Sequence, residues 1–360
     1  MLHPHRLLLA LLLFLPGLPG IAAREVGAAG LTYVEAYAGG PYDDPDLYNP
    51  HGLAISPDGR HLYVARYDDS ISLFSREPAT GRLTFINWAT TAHGGEAPGG
   101  SYAVTVSPDG ANVYTVALNN VLTVFRRDPA TGYLTSLQAE YGQGGPVRGL
   151  TGAQSVVVSP DGTSVYVASN DASSVAVFGR DTRTGLVTFI EMLRDGIGGS
   201  DGLGGAKGVA ISPDGAYVYV AAAVDNAVGV FRRLPGTGEL TFLEMLQNGV
   251  QGVEGIGGAR FVSVTPDGAD VLVAGGTDDA IAVFHRNPDL GTLTFVEAHH
   301  DGADGVNGLN GSRGIATSPD GTQVYVVGSV DASLVVFDRD ATTGALTFVE
   351  RQRNGVAGVA

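Results

Sequence analysis

The sequence predicts an all-β propeller, and three observations carry the prediction. A tetrapeptide turn returns six times, strand-forming runs of fixed order lie between its copies, and the intervals contain no helix-length amphipathic stretch. The turn reads SPDG at Ser56 to Gly59, Ser107 to Gly110, Ser159 to Gly162, Ser212 to Gly215 and Ser318 to Gly321, with TPDG at Thr265 to Gly268. Its aspartates fall at 58, 109, 161, 214, 267 and 320, so the spacing is 51, 52 and then 53 residues.

The fourth repeat shows how one module is built. Gly208 to Ile211 is a short apolar strand entering the SPDG turn, where proline fixes φ, aspartate bonds its own backbone and glycine takes the left-handed conformation. Tyr217 to Ala222 returns as a β-branched and aromatic strand, Asp225-Asn226 makes a hairpin, and Ala227 to Arg232 is the third strand. After the Pro235 to Gly238 turn, Leu240 to Glu244 is the fourth. Such a sheet is apolar on both faces and must pack against its neighbours, and radial closure does this while protecting the sheet edges.

Six complete quartets run from His51 to Glu350, and Leu31 to Glu35 reads as an additional strand of the fourth type ahead of the first. Six complete blades in this chain is the expectation, with seven if a further blade is missing or completed otherwise.

Residues 1–23 read as a signal peptide, and residues 24–360 as a single propeller domain. Arg6 precedes the apolar run Leu7 to Leu15, which is too short to span a bilayer, and small residues at Ala22 and Ala23 supply an exit for cleavage. The expectation is an exported chain, periplasmic or extracellular and monomeric, with no stable membrane insertion after cleavage. With no cysteine, packing and ring closure must hold it together. The 37 acidic against 21 basic side chains repel phosphate backbones, which argues against a nucleic-acid partner.

Residues shared by every blade are read as structural. Phe74, Phe125, Phe178, Phe231, Phe284 and Phe337 are followed two positions later by Arg76, Arg127, Arg180, Arg233, Arg286 and Arg339, on one face of the third strand. These arginines are expected to bond a turn or an acidic residue of the neighbouring blade, and the turn aspartates to bond locally.

The informative position lies five residues before the Ser or Thr of each turn, at the entry to the innermost strand. It reads His51, Tyr102, Gln154, Lys207, Arg260 and Arg313. Propeller geometry places these side chains around one mouth of the central channel. Three fixed cations with an imidazole, a phenol and an amide suit a carboxylate, a phosphate or an ester oxyanion.

The SPDG turn followed by a YVA strand, a VAVF-x-R strand and GxLTFVE resembles the seven-bladed lactonase family, whose activities include 6-phosphogluconolactonase, and more broadly the YVTN-type propeller repeats. The resemblance spans nearly all of Leu31 to Glu350 and implies a hydrolytic site at the channel mouth. There His51 would be the general base, Arg260, Arg313 and Lys207 would hold a substrate carboxylate or an oxyanion, and Glu254 would orient or replace the base, beside Tyr102 and Gln154 as binding residues. No serine nucleophile elbow and no zinc-ligand spacing occurs. The alternative is a non-enzymatic propeller that binds a protein or glycan through its loop faces.

No cofactor is expected beyond weak calcium binding by the loops Asp195 to Gly205, Asn248 to Gly258 and Asp301 to Gly311, where Asp or Asn recurs beside Gly; ordinary acidic solvent-facing loops explain these segments as well.

Overall fold

The computed structural model describes residues 31, 34, 49–90, 100–142 and 145–353. The predicted signal peptide at 1–23 lies outside the described residues. Twenty-four strands form six four-stranded antiparallel sheets, each in simple meander order. The six-bladed propeller consists of β1–β4 (50–90), β5–β8 (101–141), β9–β12 (153–194), β13–β16 (206–247), β17–β20 (259–300) and β21–β24 (312–353).

In the fourth blade the inner strand starts at Ala206, two residues ahead of the predicted one, and the outer strand runs on to Gln247. The reasons are local. Lys207 is accommodated as an irregularity within the inner strand, and Leu240–Gln247 stays paired to its neighbour past a register shift between Val230 and Phe231.

In blades one to five the second strand is buried along both faces, which is why it reads as a continuous apolar run rather than an alternating one. The third-strand phenylalanines are buried, and five of the six meet an outer-strand phenylalanine edge-to-face, as at Phe178–Phe189 with centroids 5.7 Å apart. Five apolar clusters each join two successive blades, from blades one and two through to blades five and six.

The recurrent arginines stitch the same seams. Arg180 of blade three donates from Nε to the Tyr114 hydroxyl (2.6 Å) and from its terminal nitrogens to the Gly162 carbonyl (2.9 Å) and Asp109 of blade two (2.9 Å). Arg127, Arg233 and Arg286 repeat the arrangement with Tyr63 and Asp58, Tyr166 and Asp161, and Tyr219 and Asp214. Blade five has Leu272 where the tyrosine would stand, and Asp270 takes its place beside Asp267 in binding Arg339. Five of the six turn aspartates therefore serve two blades: Asp109, for example, accepts the Ser107 hydroxyl within its own turn and Arg180 from the next blade.

Candidate functional site

The inner strands β1, β5, β9, β13, β17 and β21 carry the six variable residues, each at the second position of its strand. In every blade the pairing register shifts across that residue. Ala206 pairs with Ala222 and Gly208 with Ala221, so Lys207 has no partner of its own; Arg260, Arg313, Tyr102 and Gln154 are bypassed in the same way, and in blade one the irregularity spans His51 and Gly52. A bulge of this kind re-aims one side chain without ending the strand. The six positions were legible as a ring of variation; the bulge that displays them was not.

His51 stacks on Tyr102 with ring centroids 4.5 Å apart and planes at 23°, and Tyr67 closes on it at 5.7 Å. Its Nε2 is buried without a hydrogen-bond partner among the described residues. Burial, and then the charge of Arg313, hold this imidazole below its ordinary pKa, so it is neutral at pH 7.

Lys207 is held below its ordinary value by burial and then by Arg260 and Arg313, with Asp171 acting the other way. Arg313 therefore acts on both Lys207 and His51, coupling residues from blades one, four and six across a common electrostatic field. Among the described residues no carboxylate lies within ion-pair distance of Lys207, Arg260 or Arg313. Arg260 and Arg313 thus act on Lys207 with no carboxylate at ion-pair distance, and Asp171 offsets them from further away.

Three glycines make room for the arrangement. A Cβ on Gly276 would lie 2.2 Å from Arg260 Nε, one on Gly152 would lie 2.6 Å from Asp171 Cγ, and one on Gly100 would lie 2.4 Å from the Tyr67 Cα.

Gln154 is half-buried at its bulge, and its side chain makes no hydrogen bond among the described residues. Glu254 is exposed on the loop before β17, where buried Val253 and Ile256 anchor the segment. It forms no hydrogen bond or ion pair with the other candidate residues among those described. Tyr67 and Asp171 did not emerge from the sequence as site residues. A signal existed: at the residue after the second strand, Tyr67 stands where the other blades have Leu118, Asn170, Ala223, Gly276 and Ser329, and Asp171 stands where three later blades have Val224, Thr277 and Val330.

Of the three Asp/Asn-Gly loops, the first contributes to an acidic group: Asp195, Asp201 and Asp225 place carboxylate oxygens within 4.8 Å of one another. Burial, and then its two neighbours together with other local contacts, raise the pKa of Asp225 even though the Gly204 amide opposes the shift. Each carboxylate also accepts a backbone amide, from Leu203 to Asp195 (3.0 Å), Gly202 to Asp201 (2.9 Å) and Gly204 to Asp225 (2.7 Å), so these groups shape the loop that leads into Lys207.

Six four-stranded blades whose inner strands each carry a variable, bulged residue define a β-propeller. The model of the family "Lactonase, 7-bladed beta-propeller" matches residues 39–151, 93–196, 151–307 and 203–359, and the chain belongs to that family. Its six described blades are one fewer than the family's description states. A 6-phosphogluconolactonase of Bacillus subtilis is 30% identical over 147 residues, 40% of each chain. The 6-phosphogluconolactonase of Klebsiella pneumoniae is 22% identical over 307 residues, 84% of each. Among solved structures, the periplasmic gluconolactonase of Pseudomonas aeruginosa superposes with a TM-score of 0.70 at 23% identity, covering 89% of this chain and 90% of that one. A protein from Lactobacillus plantarum superposes with a TM-score of 0.69 at 21% identity over 86% of both chains. At these identities the structural likeness establishes the fold.

Proposed function

We propose that the protein is an exported lactonase that opens a lactone bearing an anionic group at the channel mouth. The observation that carries this reading is the set of bulged inner-strand residues, in which a neutral His51 with a buried, unpartnered Nε2 shares the field of Arg313 with Lys207, and no carboxylate among the described residues pairs with Lys207, Arg260 or Arg313. His51 takes a proton from water as the water oxygen bonds to the lactone carbonyl carbon. Arg260 and Arg313 stabilise the oxyanion, and Lys207 holds the anionic substituent. Collapse breaks the bond to the ring oxygen, which takes the proton back from His51, leaving a hydroxy acid. Tyr102 and Tyr67 keep the imidazole oriented.

Export is supported by the apolar Leu7 to Leu15 run and by the periplasmic location of the Pseudomonas relative. A substrate outside the cytoplasm follows, such as a sugar-acid lactone. The test is base consumption at constant pH against a panel of sugar and aliphatic lactones, beside an Arg260→Ala/Arg313→Ala variant of unchanged circular dichroism. Hydrolysis present in the parent and lost in the variant supports the reading. A parent rate equal to the spontaneous one overturns it and favours a binding protein for a protein or glycan partner.

A further inference from the structure

The two most exposed large apolar side chains among the described residues are Val224, 73% exposed, and Val330, 68% exposed. They hold the same place in the repeat, the second residue of the hairpin after the second strand, in blades four and six. Blades three and five carry Asp171 and Thr277 there, and the hairpins of blades one and two are one residue shorter. Valine is not a turn former, and at this exposure it gains almost nothing from burial. A single exposed valine on a surface needs no explanation, but two at one repeat position, as the most exposed apolar side chains described, do.

Strand direction puts this hairpin at the end of the blade where the inner strand begins, the end of the bulged residues. The Val224 amide donates to the Gly204 carbonyl (2.9 Å) and the Val330 amide to that of Asn310 (3.1 Å), each acceptor three residues ahead of a bulged cation, Lys207 or Arg313. The valine side chains lie over the next residue of those loops: a Cβ on Gly205 would come within 2.6 Å of Val224 Cγ2, and one on Gly311 within 2.7 Å of Val330 Cγ2. The hairpin position also reaches the following blade, because Asp171 of blade three acts on Lys207 of blade four. The repeat gives Val224 the same relation to Arg260. The two valines therefore stand on the first and last of the three blades that carry Lys207, Arg260 and Arg313.

We propose that this end of the ring selects anions that carry a hydrocarbon substituent, with the cations taking the carboxylate and Val224 and Val330 covering the hydrocarbon. A chain laid across the valines removes apolar surface of both partners from water, whereas a hydroxylated substituent would exchange its water for groups that cannot hydrogen-bond. Where the anion is a lactone, the inference rests on the lactonase reading and narrows it, ranking aliphatic lactones above polyhydroxylated ones.

The test is a calorimetric titration of straight-chain carboxylates from butanoate to octanoate into the full chain, beside base consumption with lactones that bear a carboxylate and alkyl groups of the same lengths. The parent's Kd should fall about twofold per added methylene, half the free energy of complete burial. Val224→Thr/Val330→Thr, which copies Thr277 of blade five, should bring that ratio close to one. Leu290→Thr removes an apolar side chain that is 60% exposed in the turn between β19 and β20, at the other end of the blade, and should keep the parent's ratio. A parent Kd indifferent to chain length, a dependence that the valine variant retains, or no binding of octanoate overturns the inference. The carboxylates report binding without turnover, so the two readings fail separately. Chain-length-dependent binding with no lactone hydrolysed upholds the hydrocarbon site and overturns the lactonase; hydrolysis alongside binding indifferent to chain length does the reverse.

Discussion

The two faces of the ring treat repetition in opposite ways. On the face of the SPDG turns, five blades hand an aspartate to the next blade's arginine, and where blade five lacks the usual tyrosine, Asp270 restores the bond. At the opposite end the second residue of the inner strand is of five different types in six blades, and the positive charges there have no carboxylate within ion-pair distance among the described residues. One face spends its charge on satisfied contacts that hold blades together. The other leaves its cations without ion-pair partners among the described residues, and the proposed function places the substrate there.

Breaking the first face should show up as stability. Arg180→Ala leaves Asn112, the Tyr114 hydroxyl and the Asp109 carboxylate without their partner in the seam between blades two and three. The expected loss is about 3 kcal/mol, read from the midpoint of urea unfolding. Arg76→Ala removes a side chain whose described hydrogen bond goes to a single carbonyl, and should cost about 1 kcal/mol. Equal losses would mean that blade seams are held by apolar packing and that the arginines contribute little.

Breaking the second face should leave stability alone. Arg260→Ala/Arg313→Ala removes mutually repelling charge, so the unfolding midpoint should stay within about 0.5 kcal/mol of the parent or rise, while lactone turnover falls by about 100-fold or more. A large stability loss in this variant would show that these arginines are structural, as their counterparts on the other face are.

These contrasts explain what the sequence disclosed. Repeat spacing, turn chemistry and apolar runs determined the blades and the ring because each acts locally and recurs six times. The ring of His51, Tyr102, Gln154, Lys207, Arg260 and Arg313 was visible for the opposite reason, as change against a constant background. Asp171, which acts on Lys207, escaped because it sits in a hairpin where Asp and Asn are expected as turn formers, and the contact of Tyr67 with His51 escaped because it joins a hairpin residue to the neighbouring strand. The bulges escaped because register belongs to a pair of strands and is not written in either alone.

A finer test of the mouth uses pH. In the proposed mechanism His51 acts as a base only when neutral, and burial followed by Arg313 holds its pKa below the ordinary value of about 6.5. The acid limb of kcat/KM should therefore lie below that value, and Arg313→Ala, by removing one of the two causes, should move it to higher pH. An acid limb that does not move assigns the titration to another group.

The smallest effect sharpens the comparison on the structural face, where blade one carries His61 at the position of Asn112 in blade two and Ser164 in blade three. Arg127 donates to His61 Nδ1 at 2.7 Å, and burial and then the charges of Arg127 and Arg60 outweigh Asp58 and Asp128 to hold the imidazole below its ordinary pKa. The folded protein therefore binds this proton less readily than the unfolded chain. The stabilising contribution is complete above the unfolded value of about 6.5 and is lost as the pH falls through it toward the folded value. Asp58 does not confuse that window: although burial opposes the shift, hydrogen bonds from Ser56 and Arg127 hold it at about 2. His61→Asn puts an acceptor that does not titrate in the same place, as Asn112 already does for Arg180 at 2.8 Å. Between about pH 7.5 and about pH 5.5 the parent's unfolding midpoint should drop more than the variant's; parallel drops would place the titrating group elsewhere and leave His61 as a neutral filler of the seam.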